Sequence, residues 1–460
     1  MSETKTLTLD DLKQALAGHA AAFRCITEYQ PAGGDGDKVF PPTYAGGKYA
    51  VEKRVIGGKT VDCVLLNSVQ SEANHMELAL RDAWEDMSSG KRRIELPMVK
   101  TRFDLNIKGV SKVIGVTSLD APHRIADAIF RDSYREENGE KVMFRKSEKG
   151  KILDAADVRN ATELFGLCPT ALLFGLWDAA GPRGGLGAKF QRAIVSEIVG
   201  IGAQPGVTTG GKVDHLNILK DAGVLYERAM KSDALPGWTL DENLAAKRDD
   251  KAVKVGKKGD GRPSDVNLGG VTPDFAYTRD SQGKKIFEDA KDENGNSVFS
   301  RDKRGDPRIK GGFTIEKAVQ TTVLSLTALR RLRFPPLHGK QDGQSTAEQA
   351  ARTVLAALGL CAAALVREQG VDLRSRCQLC PTGPFVWELL NEPGEKEHSR
   401  FTLSADDAVG IFNQAVKEAQ MENVGLPWEK TVIDLIPSDD LLALVQRSQE
   451  IGPDDSEGEE

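Results

Sequence analysis

The longest apolar run, 354–366, holds thirteen residues without a charge and lies between Arg352 and Arg367. A bilayer crossing takes about 20 such residues, so the run suits a buried helix, and the rest of the chain must bury it. The means are present: 460 residues, 40% hydrophobic and 28% charged, should bury roughly three-quarters of their extended surface. Wholesale disorder is excluded, and the length fits two to three domain-sized units or one decorated core. The stretch MSETKTLTLDDLKQAL carries Glu3 and Asp10 where a secretory signal needs an apolar run. A cytoplasmic location is expected.

Six cysteines, at 25, 63, 168, 361, 377 and 380, are too sparse for a disulfide framework and are expected to be reduced thiols. Only Cys377 and Cys380 form a C-x-x-C, and no second pair of Cys or His stands nearby to complete a zinc site. No metal and no cofactor are expected. Lys plus Arg number 62 against 68 for Asp plus Glu, a net charge of −6 that excludes a surface basic everywhere. Five of the acids fall in 454–460, so the remaining chain is close to neutral and a local basic groove is open to it.

Composition and periodicity divide the chain into an extended leading segment (1–60), an α+β core (61–202), a Gly- and Lys-rich insertion of loops and hairpins (203–312), a helical C-terminal part (313–450) and a disordered acidic tail (451–460). The leading segment holds a helix-like stretch at 9–23. In the core, VDCVLL at 61–66 reads as a buried strand. From Ser68 onward Val69, Ala73, Met76, Leu80, Trp84 and Met87 recur at three- and four-residue steps, the stripe of a helix. Strands follow at 98–106 and 112–118, then a short helix at 122–131 that Asp120 could cap, a helix at 154–165 and a closing strand at 171–177. The order is close to a split β-α-β unit. In the C-terminal part, Val319, Val323, Leu326 and Leu329 define a helical stripe ended by Pro335, with Arg330, Arg331 and Arg333 at its end. A buried helix at 347–368, a segment around Trp387, an amphipathic stretch at 405–421 and a helix at 439–447 complete it.

Two features point to chemistry. On the helix after Ser68, Gln70, Ser71, Asn74 and Arg81 share a face short of acids, with Asn67 at its N-terminal end. Such a face is either simply solvated or, through its amides, hydroxyls and one cation, made to bond phosphate and ribose. The loop GPRGGLGAK at 181–189, followed by Phe190, Gln191 and Arg192, joins glycines to cations. Glycine lets a backbone approach an anion closely, and Arg and Lys neutralise it; a plain surface turn is the alternative. The spacing is neither a Walker loop nor a dinucleotide fingerprint. In the insertion, Lys247, Arg248, Lys251, Lys254, Lys257, Lys258 and Arg262 form a basic stretch against Asp249, Asp250 and Asp260.

No local signature of a nucleophile and its base, and none of a zinc hydrolase, occurs in the chain. Its six histidines are isolated.

The strings FPPTYA at 40–45, VLLNSVQSEAN at 64–74 and GGLGAKFQR at 184–192 resemble the Cas-seven-type backbone subunit of type I-G (formerly I-U) CRISPR effectors, within the RAMP superfamily. The resemblance spans about 38–335. It implies an RRM-like (ferredoxin-like) palm with insertions forming finger and thumb-like elements. Function is implied too: a non-catalytic subunit in a Cascade-like antiviral complex that polymerises as a filament along a CRISPR RNA and presents the spacer to target DNA. Implied partners are CRISPR RNA, target DNA, further copies of the chain, a large subunit, a Cas-five/Cas-six-type subunit and a nuclease-helicase, with no membrane. The candidate RNA contacts are Lys48, Asn67, Ser68, Gln70, Ser71, Asn74, Arg81, Arg183, Gly184, Gly185, Lys189, Gln191 and Arg192. The alternative is a metal-dependent RNA endonuclease on the same scaffold, with Asp120 or Asp178 at its centre. With only 6% aromatic residues and no RNP-like aromatic run, recognition by backbone and shape is expected over base stacking.

Overall fold

The computed structural model describes residues 4–44, 47–179, 187–206, 208–219, 221–230, 232, 234–256, 259–276, 311–335, 344–390, 398–421, 424 and 426–451. The chain divides into two compact units, one of Met1–Pro42, Tyr49–Ala203 and Ile315–Glu460, the other of Thr43–Lys48 and Gln204–Thr314.

The larger unit is built on a ten-stranded sheet. Its main path uses β1 (Thr4–Thr6), β2 (Ala22–Pro31), β3 (Val51–Ile56), β4 (Lys59–Asn67), β5 (Ile194–Ile201), β6 (Lys317–Ser325), β7 (Trp387–Leu390) and β8 (Ser399–Thr402), in the order β1-β8-β7-β2-β6-β5-β4-β3. Short strands Val371–Asp372 and Gln378–Pro381 pair at the far end of β2. Four helices pack with it: α1 (Leu9–Ala17), α2 (Val69–Glu85), α3 (Gln344–Gln369) and α4 (Ala405–Ala419). Strand β2 is antiparallel to β6 and β7, and β6 is antiparallel to β5. The path from β2 to β5, which includes α2, and the path from β6 to β7, which includes α3, each skip one strand. Two interlocked split β-α-β connections result, and the class is α+β.

Alternation along the central strands separates two faces. Phe23, Cys25 and Tyr29 of β2 and Ala318, Gln320, Thr322 and Leu324 of β6 are buried, whereas Ile26 on the opposite face is 50% exposed. Here the helix expected from Val319, Val323, Leu326 and Leu329 is corrected. Only Leu326–Arg331 is helical; Lys317–Ser325 is a strand with strict two-residue alternation of burial. Its Val and Thr content favours the pleated surface, and the three- and four-residue spacing of its apolar residues arises by coincidence across the strand–helix junction.

Other expectations shift in the same way. The leading segment supplies α1 and the central strand β2. Strands Val99–Ile107 and Val110–Thr117 form, but in a separate five-stranded sheet with Ile433–Pro437, Ser133–Glu137 and Glu140–Met143. The span 171–177 is mostly helix, Pro169–Phe174, followed by the short strand Leu176–Trp177. A helix at 122–131 is replaced by a 3-10 turn, Arg124–Ala126, and one helical turn, Ala128–Arg131, capped by Asp127 rather than Asp120. The 154–165 helix is two pieces, Glu148–Ala155 and Thr162–Leu167.

The apolar run at 354–366 lies in α3. By length and composition Ser345–Gln369 could cross a membrane, but residues 354–358 and 360–365 are each at most 5% exposed within the protein. They are walled by α1, α2, α4 and the sheet. Gly359 allows the close approach: a Cβ there would stand 3.1 Å from Leu173 and 3.2 Å from Leu324. A Leu→Ala change in this run should cost about 2–5 kcal/mol.

Among its described residues the smaller unit holds short antiparallel pairs, such as Gln204–Pro205 with Phe313–Thr314, Tyr226–Glu227 with Trp238–Thr239 and Lys247–Arg248 with Lys251–Ala252, and two 3-10 turns, Glu242–Leu244 and Pro263–Val266. Lys247, Arg248, Lys251 and Lys254 are exposed on it; Lys257 and Lys258 lie outside the described residues, as does the tail from 452.

Candidate nucleic-acid interface

Ser68 caps α2: its Oγ accepts the Ser71 backbone N–H at 3.2 Å, satisfying one of the free donors of the first turn. Ala73, Met76, Ala79, Leu80, Ala83 and Trp84 are buried along the inner stripe. Gln70 and Asn74 are exposed, and Ser71 is half-buried. The first two turns therefore show amide and hydroxyl groups outward, with no exposed carboxylate.

Two carboxylates point the other way. Glu72 is 4% exposed. It accepts hydrogen bonds from Asn67 Nδ2, from Ser196 Oγ at 2.6 Å and from Gln320 Nε2 at 2.8 Å. Tyr29 donates to Gln320 Oε1 at 2.9 Å, and Ser196 and Thr322 share a hydroxyl contact of 2.9 Å. Burial holds the Tyr29 hydroxyl above its ordinary range. This network joins β2, β4, β5 and β6 to α2. Asn67, expected to meet RNA, is instead buried within it, its Nδ2 also 3.1 Å from His75 Nδ1.

Glu77, also on the inner side of α2, is 3% exposed. Its two oxygens accept from Arg124 Nε at 2.6 Å and Nη2 at 2.7 Å, and Arg124 Nη1 donates to the Gly175 carbonyl at 2.9 Å. Burial pushes the Glu77 carboxyl up to about 7, against the pull of Arg124. Arg124 adopts φ +50°, a left-handed conformation that costs of order 1 kcal/mol or more for a non-glycine residue. The ion pair ties α2 to the start of the segment that leads into the glycine loop.

The far end of that loop returns to the same place. Lys189 and Phe190 pair with Trp177 and Leu176, and the Asp178 N–H donates to the Ala188 carbonyl at 2.9 Å. Gly187 is required there, since a Cβ would fall 2.3 Å from the Asp178 carbonyl oxygen. Arg192 Nε donates to the Phe174 carbonyl at 3.1 Å. Burial, with the neighbouring Arg124 cation, lowers the Arg192 pKa. Two residues on, the chain enters β5, where Ser196 meets Glu72. The end of the loop and α2 are therefore neighbours.

The remaining candidates divide. Lys189 is exposed, its Nζ 5.7 Å from the Trp177 ring centre, and Gln191 is exposed. Arg81 is engaged, donating to Asp120 at 2.5 Å and Asp82 at 3.1 Å. Lys48 sits in the smaller unit, bridged to Tyr44 through the backbone. Arg183, Gly184 and Gly185 lie outside the described residues. Asp120 also accepts from the Thr117 N–H and hydroxyl, and Asp178, 3% exposed, is paired with Arg145 at 2.9 Å. Cys377 is enclosed and its thiol is pushed up to about 12 by burial. Among the described residues no three His, Cys, Asp or Glu side chains gather as metal ligands.

Glu72, Glu77, Arg124, Ser196 and Gln320 escape the sequence reading. A signal exists for the two acids: Glu72 lies four residues before Met76 and Glu77 four after Ala73, inside the apolar stripe.

Residues 23–205 match the family model described as CRISPR-associated protein GSU0053. Over that span the chain is similar to a CRISPR-associated family. The span runs from β2 to just beyond β5 and contains α2 and the glycine loop. No curated protein matches the chain.

Proposed function

We propose that the chain is a non-catalytic, CRISPR RNA-binding backbone subunit of the Cas-seven type from a type I-G effector, polymerising head to tail along the guide in the cytoplasm and presenting the spacer to target DNA. The observation that carries this reading is the CRISPR-associated family match over the span that holds α2 and the loop. The interlocked β-α-β connections support an RRM-like palm. The open sheet face supports recognition without base stacking: Arg24 pairs with Glu388 there and Arg54 with Glu197, beside Ile26 and Val195 rather than aromatic rings. The smaller unit exposes Val213, Leu216, Leu219 and Met230, apolar surface that a neighbouring copy would cover. Asp120 and Asp178 are both held by guanidinium groups, which speaks against the endonuclease alternative.

The test is RNA affinity of the full chain with Lys189→Ala and Arg192→Ala together, at two salt concentrations. Loss of two phosphate contacts should lower the slope of log K against log salt by about 1.4, roughly 0.7 per contact on a single strand. An unchanged slope removes both residues from the interface.

A further inference from the structure

A basic cleft lies in the larger unit, apart from α2's outward face, between the segment 89–96, α4 and residues 428–430. Its volume is about 860 Å³, within the range of clefts that hold organic ligands. The floor is apolar: Leu96, Val409, Val416 and Trp428 line it. The Trp428 ring is fixed by Phe165 and Phe412, at 5.4 and 6.3 Å between ring centres. Its enclosed indole N–H has no acceptor among the described residues.

Around this floor stand Lys91, Lys417 and Lys430, all exposed. None of the three forms an ion pair among the described residues. Of the two carboxylates in the lining, Glu429 is taken by Lys149 at 2.7 Å, which leaves Glu95 alone against three ammonium groups. A net positive rim over an apolar, partly aromatic floor matches a ligand with flat rings and repeated anionic links.

We propose that this cleft binds a short stretch of single-stranded nucleic acid, bases toward the floor and phosphates on the three lysines. An acidic peptide would satisfy the lysines but would leave the apolar floor without a flat partner; base–aromatic contact and a cationic rim together are the usual means of holding a single strand. None of the residues assigned to the guide lines the cleft.

The experiment measures binding of a fluorescent twelve-residue oligothymidine to the full chain, comparing the wild type with Lys417→Glu/Lys430→Glu. Affinity should fall at least tenfold, with a shallower salt dependence, and unchanged thermal stability would show that the fold is intact. A strand carrying 5-bromodeoxyuridine should cross-link to the peptide containing Trp428. Unchanged affinity and no such cross-link would overturn the proposal, as would displacement of the strand by polyglutamate at equal charge concentration. If Lys189→Ala/Arg192→Ala abolishes binding while the cleft variant does not, the cleft falls and the guide reading stands; the reverse result separates them the other way.

Discussion

The inner and outer sides of α2 use polar residues in opposite ways. Inward, Glu72 receives three donors and Glu77 a two-point guanidinium contact. Outward, Gln70 and Asn74 are exposed and make no hydrogen bond among the described residues. A buried polar group must be satisfied within the fold or it costs free energy; an exposed one is satisfied by water and is free to exchange that water for a ligand. Polarity alone therefore does not mark a binding face; the partner inventory does.

The largest expected effect is on the inner side. Arg124→Ala leaves Glu77 enclosed without its counter-ion, and should lower stability by about 3–5 kcal/mol. Its pH dependence sharpens the point. The folded Glu77 carboxyl is raised to about 7 from an ordinary 4.5, so between those values the folded state holds more proton than the unfolded one, and stability falls as pH rises through that window. Without Arg124 the carboxyl rises further. Denaturant melts at pH 5 and pH 8 should show a larger Arg124→Ala deficit at pH 8; equal deficits would mean that Glu77 is not the charge being compensated.

Next in size is Glu72→Ala, which strands the Asn67, Ser196 and Gln320 donors and should cost about 2–3 kcal/mol. Glu72→Gln keeps the shape and one acceptor oxygen and should recover part of that loss in the same melts. A loss below about 0.5 kcal/mol for Glu72→Ala, the size of an ordinary surface substitution, would place the carboxylate on the solvated side of the comparison.

What is legible in the sequence follows from the range of the forces involved. The α2 stripe and the apolar α3 depend on local spacing and are readable. Strand β6 is not, because Val319 and Val323 fit a helical step while Gln320 and Thr322, polar in sequence, are the residues that face the core. Their burial depends on Glu72, far away along the chain. The partnership of Glu77 with Arg124 is likewise non-local, and only the misplaced acids in the apolar stripe hint at it. The proximity of Arg192, just after the glycine loop, to Glu77 of α2 likewise requires the fold.

The smallest effect on stability belongs to the outer side, and it tests the comparison most directly. Gln70→Ala with Asn74→Ala removes groups that hold nothing in the fold, so stability should change by less than about 0.5 kcal/mol. If these amides contact the guide, RNA affinity should still fall, by about 0.5–1.5 kcal/mol for each hydrogen bond lost. Because both groups are neutral, the salt slope should stay at the wild-type value, unlike that of Lys189→Ala/Arg192→Ala. A double variant that melts normally, binds RNA with wild-type affinity and keeps its salt slope would return this face to plain solvation.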